Sequence, residues 1–136
     1  AWDKINQQMV YNIQEMYDGY CDETDNGKYL YMSCFSCFLN DEQFAVMQYT
    51  GLKDKNGMEI YEGDVVKAQD PYPHIEKDHK YYICEVVFTE GATFMLKRQY
   101  NNYGKIKTEY FSMCIMEVEV IGNIYENPEL LKKEIK

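Results

Sequence analysis

The residues whose types and spacing could do chemistry form four groups. Cys34-Phe35-Ser36-Cys37 is a CxxC, the spacing of half a zinc site or of a redox pair. A zinc site needs two further ligands, and the only histidines, His74 and His79, lie about 40 residues downstream. A redox pair opens a helix after a strand in a βαβ unit, and no such unit is legible here. In an extended segment, positions 34 and 37 also face opposite sides. Structural cysteines are therefore the favoured reading, with Cys34, Cys37, His74 and His79 kept as weak metal candidates.

His74 and His79 stand near Asp70, Glu76 and Asp78, a set that could hold a divalent ion loosely. The plainer reading is a solvated polar loop. Nucleophilic hydrolysis has little support, since Ser33, Ser36 and Ser112 lack a nucleophile elbow. All eight glycines are isolated, so there is no phosphate-cradling loop. Glu117 and Glu119 read as a solvated carboxylate pair on one face of a strand. No catalytic residue and no cofactor is expected.

The fourth group is KRQYNNYGKIK, with Lys97, Arg98, Lys105 and Lys107 and no acid. Tyr100 and Tyr103 sit among these bases. Cations that grip phosphate beside tyrosines that stack on unpaired bases would suit single-stranded nucleic acid. The plain alternative is a solvated hairpin tip whose lysines discourage edge pairing.

The elements that must position these groups read mainly as strands. The chain has 136 residues, enough for one domain or one domain with an appendage. Its 14 Tyr and 6 Phe, within a 46% hydrophobic composition, suit a packed sheet and rule out a disordered chain. Residues 1–11 predict a hairpin with a polar turn at 4–8, and 18–27 an acidic loop. The apolar stretch 29–39 predicts one or two buried strands, and 44–50 another.

Asp54-Lys55-Asn56-Gly57 is a turn signature, followed by extended 58–61, a turn at 62–64 and a strand from Val65. Residues 69–80 predict a surface loop. Strands follow at 81–88, 93–99, 106–113 and 117–125, with turns at 89–92 and 101–104. On the last strand, Met116, Val118 and Val120 share one face and Glu117 and Glu119 the other. Asn127, Pro128 and Glu129 open a short C-terminal helix.

Charge is uneven: 12 acids against 4 bases over 1–66, and 11 against 10 over 67–136, within a net −9. The acidic half opposes nucleic-acid binding on its own side. Between Glu15 and Glu42, seven acids face one lysine, which raises the idea of an acidic mimic occupying a host nucleic-acid enzyme. No apolar run approaches the roughly 20 residues of a membrane span. The opening segment has no export signal, and five cysteines then read as reduced thiols in a cytoplasm. Cys34, Cys84 and Cys114 stand in apolar surroundings, where Cys acts as a small hydrophobe.

Residues 47–66, MQYTGLKDKNGMEIYEGDVV, resemble the signature of the YopX-like family of phage and prophage proteins. AWDKINQQMVY at 1–11 and VEVIGNIYENPELL at 118–131 agree with it, in the family's order. The resemblance implies a phage or prophage gene product in the cytoplasm of a bacterial host, with a C-terminal part similar to an SH3-type barrel. It implies no activity, so no site residue carries over. Gly51, Gly57, Gly63 and Gly122 have a backbone reason to be there, and Tyr49, Ile60, Tyr61, Val65 and Ile121 a packing reason.

The expected architecture is mainly β. An N-terminal β-rich extension spans 1–46, and a small, partly open SH3-type barrel with a short C-terminal helix spans 47–136. The expected function is a non-catalytic protein-interaction module that binds a host or phage protein, with homo-oligomers compatible. The alternative is a nucleic-acid-binding barrel using the Lys97–Lys107 hairpin.

Overall fold

The computed structural model describes residues 1–13, 35–70 and 81–135. The chain divides into two compact units, Ala1–Met47 and Gln48–Lys136. No helix among the described residues is long and apolar enough to cross a membrane.

In the first unit, β1 (Trp2–Asp3) lies between β2 (Gln8–Met9) and β3 (Phe44–Ala45), with Trp2 opposite both Met9 and Ala45. The expected hairpin at 1–11 is therefore present. Its turn is organised by Asp3, whose Oδ1 accepts from the backbone N–H of Ile5 and Asn6, both at 3.0 Å. The Asn6 and Gln43 side-chain amides also donate to this carboxylate, at 2.7 and 2.8 Å. Burial raises its pKa, but the donors from Asn6, Gln43 and Ile5 outweigh burial and hold it below the usual value.

Phe35–Asn40 forms a helix, α1, and not the strand expected there. A short apolar run has no period that separates a strand from a buried helical turn. Phe38 is buried and meets Phe44 edge-on, with ring centroids 4.9 Å apart and planes at 71°.

The second unit is built on an antiparallel five-stranded sheet ordered β10-β6-β7-β8-β9. Its strands are β6 (Asp64–Gln69), β7 (Tyr81–Thr89), β8 (Thr93–Asn102), β9 (Lys105–Ser112) and β10 (Val118–Asn123). A separate ribbon pairs β4 (Tyr49–Lys53) with β5 (Glu59–Tyr61), and α2 (Glu129–Ile135) packs on β7 and β8.

Alternation decides which face is inside. Val66, Ala68, Tyr82, Cys84, Val86, Leu96 and Val118 are buried in one core, with Val120 and Phe111 against it. Met116, Val118 and Val120 thus share the inner face, as their spacing predicts. Cys84 is in this core, whereas Cys114 is exposed, contrary to the expectation of an apolar setting for both.

The sheets do not close into a barrel. β9 and β10 are the two outer strands, and a 3-10 turn at Met113–Ile115 carries the chain between them without pairing them. The inner face is capped by inserted side chains, with Ile60 of β5, Met113 and Met116 completing the core. That insertion does the covering which curling the sheet onto itself would have done.

Two carboxylates fix this cap. Asp54 Oδ1 accepts from the N–H of Asn56 at 2.8 Å and of Met58 at 2.9 Å, closing the β4–β5 turn. Its Oδ2 accepts from the N–H of Val120 at 3.0 Å, tying that turn to β10. Gly57 sits at φ +82°, where a Cβ is costly, so the turn needs glycine. Burial raises the Asp54 pKa, but hydrogen bonds from Val120, Met58 and Asn56, with the Lys55 charge, bring it below the usual value.

Asp64 behaves oppositely. Burial pushes its pKa up to about 6, only partly offset by the Tyr61 N–H that donates to Oδ2 at 2.8 Å.

Two residues given a packing reason lie at the surface: Tyr49 is 40% exposed, though its ring packs 5.4 Å from that of Tyr61, and Ile121 is 36% exposed. Alternation from Val118 and Val120 puts Ile121 on the outer face with Glu117 and Glu119, and it is left unpaired at a bulge between the Val120–Val66 and Gly122–Val65 pairs. Gly122 is required by close approach, because a Cβ there would collide with the Asn127 side chain.

These contacts make two stability predictions. Asp54→Ala strands three backbone donors and should lower the unfolding free energy by roughly 2–4 kcal/mol in urea denaturation at neutral pH. Asp64 has a folded pKa above its unfolded value, so its contribution is full below about pH 4 and is lost as pH rises through about 6. Asp64→Asn keeps an acceptor for Tyr61 and should remove that loss, gaining roughly 1–2 kcal/mol over the parent at pH 8 and little at pH 4.

Candidate functional site

The β8–β9 hairpin holds the six residues singled out for nucleic acid. Pairing runs without a slip from Met95–Ser112 to Asn102–Lys105, leaving Tyr103-Gly104 as a two-residue turn. Both turn residues have positive φ, +51° and +80°, the conformation whose twist matches the flanking strands. Asn101 Oδ1 accepts from the Gly104 N–H at 2.9 Å and fixes the tip. Tyr103 projects fully into solvent.

The hairpin divides the six residues between two faces. Arg98 lies opposite Glu109, Tyr100 opposite Lys107 and Asn102 opposite Lys105, so Arg98, Tyr100, Lys105 and Lys107 share the inner face. Lys97 lies on the outer face opposite Tyr110, and its Nζ meets Glu85 at 3.2 Å.

Arg98 is only 6% exposed, with its guanidinium 3.9 Å from the Tyr82 ring centroid and 4.6 Å from that of Tyr100. Glu109 lies 3.8 Å from Arg98 Nη1 and accepts from the Tyr100 hydroxyl at 2.9 Å. Tyr82 stacks on Phe111 with centroids 5.7 Å apart. Arg98 and Tyr100 are thus parts of a packed aromatic–cation cluster. Lys105, Lys107 and Tyr103 remain exposed at the tip.

A shallow groove of about 180 Å³ lies on β6 and β10, between Lys55, Lys67, Gln69, Tyr81, Glu117 and Glu119. Its groups engage each other. Lys55 Nζ meets Glu119 at 2.5 Å, which raises the lysine pKa, and Lys67 Nζ lies 4.1 Å above the Tyr81 ring. Glu119 is therefore ion-paired, where the sequence suggested a simply solvated carboxylate. Tyr61 donates to Glu59 at 2.6 Å, and this hydrogen bond, with burial and nearby charge, pushes its pKa to about 12.

Cys34, His74, His79, Glu76 and Asp78 lie outside the described residues. Cys37 lies on α1, so its segment is not the strand on which the opposite-face argument depended. Among the described residues, no three of His, Cys, Asp and Glu gather closely enough for a metal ion. Ser112 caps the 3-10 turn, its Oγ accepting from the Cys114 N–H at 3.3 Å. Of the seven acids between Glu15 and Glu42, only Asp41 and Glu42 are described.

The open outer edge of β9 is the feature that sequence reasoning passed over. β9 ends the sheet, and among the described residues no strand pairs with its far side. In a two-residue hairpin the residues flanking the turn exchange both hydrogen bonds, and alternation does the rest. Lys105, Lys107, Glu109 and Phe111 direct their backbone groups at β8. Ile106, Thr108, Tyr110 and Ser112 direct theirs at the open edge. Ile106 is 62% exposed and Tyr110 52% exposed along that strand. Pairing order was the missing signal, since which strand is last cannot be seen in the β9 residues alone.

The packing of Arg98 makes a prediction. Arg98→Ala should cost about 2–3 kcal/mol of stability, through lost stacking and stem packing. Urea denaturation checks it, because a residue serving only an external ligand would leave the midpoint unmoved.

The sequence matches the YopX protein family over residues 1–132. No curated protein matches the chain. The crystal structure of protein EF1440 from Enterococcus faecalis is similar, with 31% identity over 68% of this chain and a TM-score of 0.41. The match spans 58% of that protein's length. The family match takes in both units, from the first hairpin to α2, and the chain belongs to the YopX protein family.

Proposed function

We propose that this protein is a non-catalytic binding module of phage or prophage origin, working in the cytoplasm of a bacterial host. It takes a host or phage polypeptide as an added strand on β9. The carrying observation is the open edge itself, with Ile106 and Tyr110 exposed at 62% and 52% beside backbone groups that point away from the sheet. Strand addition draws its affinity from such main-chain groups and its specificity from alternate side chains. The perturbed ionisable groups favour this reading over an enzyme: Asp3 and Asp54 accept from turn backbone, and Asp64 from Tyr61.

A second reading keeps nucleic acid. The fully exposed Tyr103 beside Lys105 favours it, and it relies on Tyr103, Lys105 and Lys107 alone. Lys97 and Arg98 are already engaged by Glu85 and Glu109.

Thr108→Pro separates the two readings, because it removes one outward N–H from an edge where proline is tolerated. The parent should capture a host or phage protein that the variant loses, with circular dichroism and melting unchanged. Equal capture by both would defeat strand addition. Salt-sensitive binding of single-stranded DNA or RNA, lost on replacing Lys105 and Lys107 by Ala, would establish the second reading instead.

A further inference from the structure

We infer that the strand accepted by β9 is β9 of a second copy, antiparallel and centred on Thr108. The inference rests on the reading of β9 as a docking edge and names its occupant.

Hydrogen-bond parity sets the first condition. Residues that exchange bonds across a new antiparallel seam must both point outward, which limits those pairs to Ile106, Thr108, Tyr110 and Ser112. A two-fold axis at Thr108 meets the condition. Thr108 pairs with its own copy, and Ile106 pairs with Tyr110 on either side. The residues between them, Lys107 and Glu109, then oppose each other in the closely spaced pairs.

Charge sets the second condition. Lysines on an edge ordinarily deter pairing. With the axis at Thr108, each Lys107 meets a Glu109 of the other copy, and the seam contains two such pairs. Moving the axis by one residue brings Lys107 against Lys107, or Glu109 against Glu109, in the closest pair of the seam. Like charges directly opposite are unfavourable, so charge favours the Thr108 register over the axes on either side, and of the registers that meet the parity condition it is the one that pairs Lys107 with Glu109.

The side chains agree with this register. Ile106, Thr108 and Tyr110 share the outer face, so the seam lays each exposed Ile106 against a Tyr110 ring. Aromatic and β-branched residues pair well across strands. The chain carries −9, but β9 holds two lysines and one glutamate, so the repulsion of an acidic chain is weakest at this edge.

Sedimentation of the full chain under reducing conditions should find a dimer. Thr108→Pro should be monomeric with an unchanged circular dichroism spectrum. Lys107→Glu should raise the dimer Kd on the order of tenfold, since both seam pairs become repulsive. Adding Glu109→Lys should restore it if the doubly substituted chain folds.

Because Glu109 also serves Arg98, a second readout avoids that residue. Under mild oxidation, Thr108→Cys should give a disulfide between copies that maps to position 108 in both, well above the parent's background. Lys107→Cys, displaced from its own copy, should give far less. A monomer at every concentration up to the solubility limit would overturn the inference. So would a dimer unchanged by Thr108→Pro, or equal cross-linking by the two cysteine variants. A monomeric parent that captures another protein through Thr108-sensitive contacts would overturn it and leave the strand-addition reading standing.

Discussion

The second unit depends on one carboxylate. Asp54 receives two backbone N–H groups from its own turn and one from Val120, 66 residues away in sequence. Without its ties to β10, of which that bond is one, β4–β5 would be a two-stranded ribbon, and such ribbons are marginal alone in water. With them, the ribbon is held where Ile60 enters the core beside Val66, Cys84 and Leu96. Neighbouring bonds reinforce the same seam. The Lys55 N–H donates to the Val118 carbonyl at 3.1 Å, and Lys55 reaches Glu119 through its side chain. The buried charge is tolerated because every listener to it is a donor fixed by turn or strand geometry.

An open sheet follows from this. A barrel buries its inner face by curling, which joins the first and last strands. Here Ile60, Met113 and Met116 fill the inner face, so β9 and β10 need not meet. The two edges then differ. β10 is bulged at Ile121, and its residues Val118 to Val120 are engaged by the β4–β5 turn. β9 is regular over its whole length, and bulges and covering loops are the usual guards of an edge.

Much of the fold was legible where backbone chemistry is local. Asp54 to Gly57 announced a turn, Asn101 to Gly104 another, and alternation on 81–88 and 117–125 marked strands. The faces of Met116, Val118 and Val120 followed from spacing alone. The segment 35–39 was misread because a short apolar run carries no period that separates helix from strand. The packing reason given to Ile121 rests on the resemblance alone, whereas plain alternation already puts it on the outer face with Glu117 and Glu119. At the candidate site, the basic hairpin was legible as a hairpin, but its chemistry was not. Lys97 and Arg98 read as surface bases in the sequence, because only the strand register sets Glu85 opposite Lys97 and Glu109 opposite Arg98. The carboxylate that fixes the fold was read only as the first residue of a turn.

The inner and outer sides of β9 also bear on each other. Glu109 holds the Tyr100 hydroxyl and faces Arg98, which lies between the rings of Tyr82 and Tyr100, and Tyr82 stacks on Phe111. The cluster therefore grips β9 at Glu109 and Phe111, the two positions flanking Tyr110. A strand held from within presents its outward backbone groups already aligned. Association through such an edge avoids much of the ordering cost that a flexible segment bears on binding. Burying a guanidinium between two tyrosines thus removes a cation from the surface and holds β9 from its inner side, so the loss of a surface phosphate-binding group and the regularity of this open edge have the same structural cause.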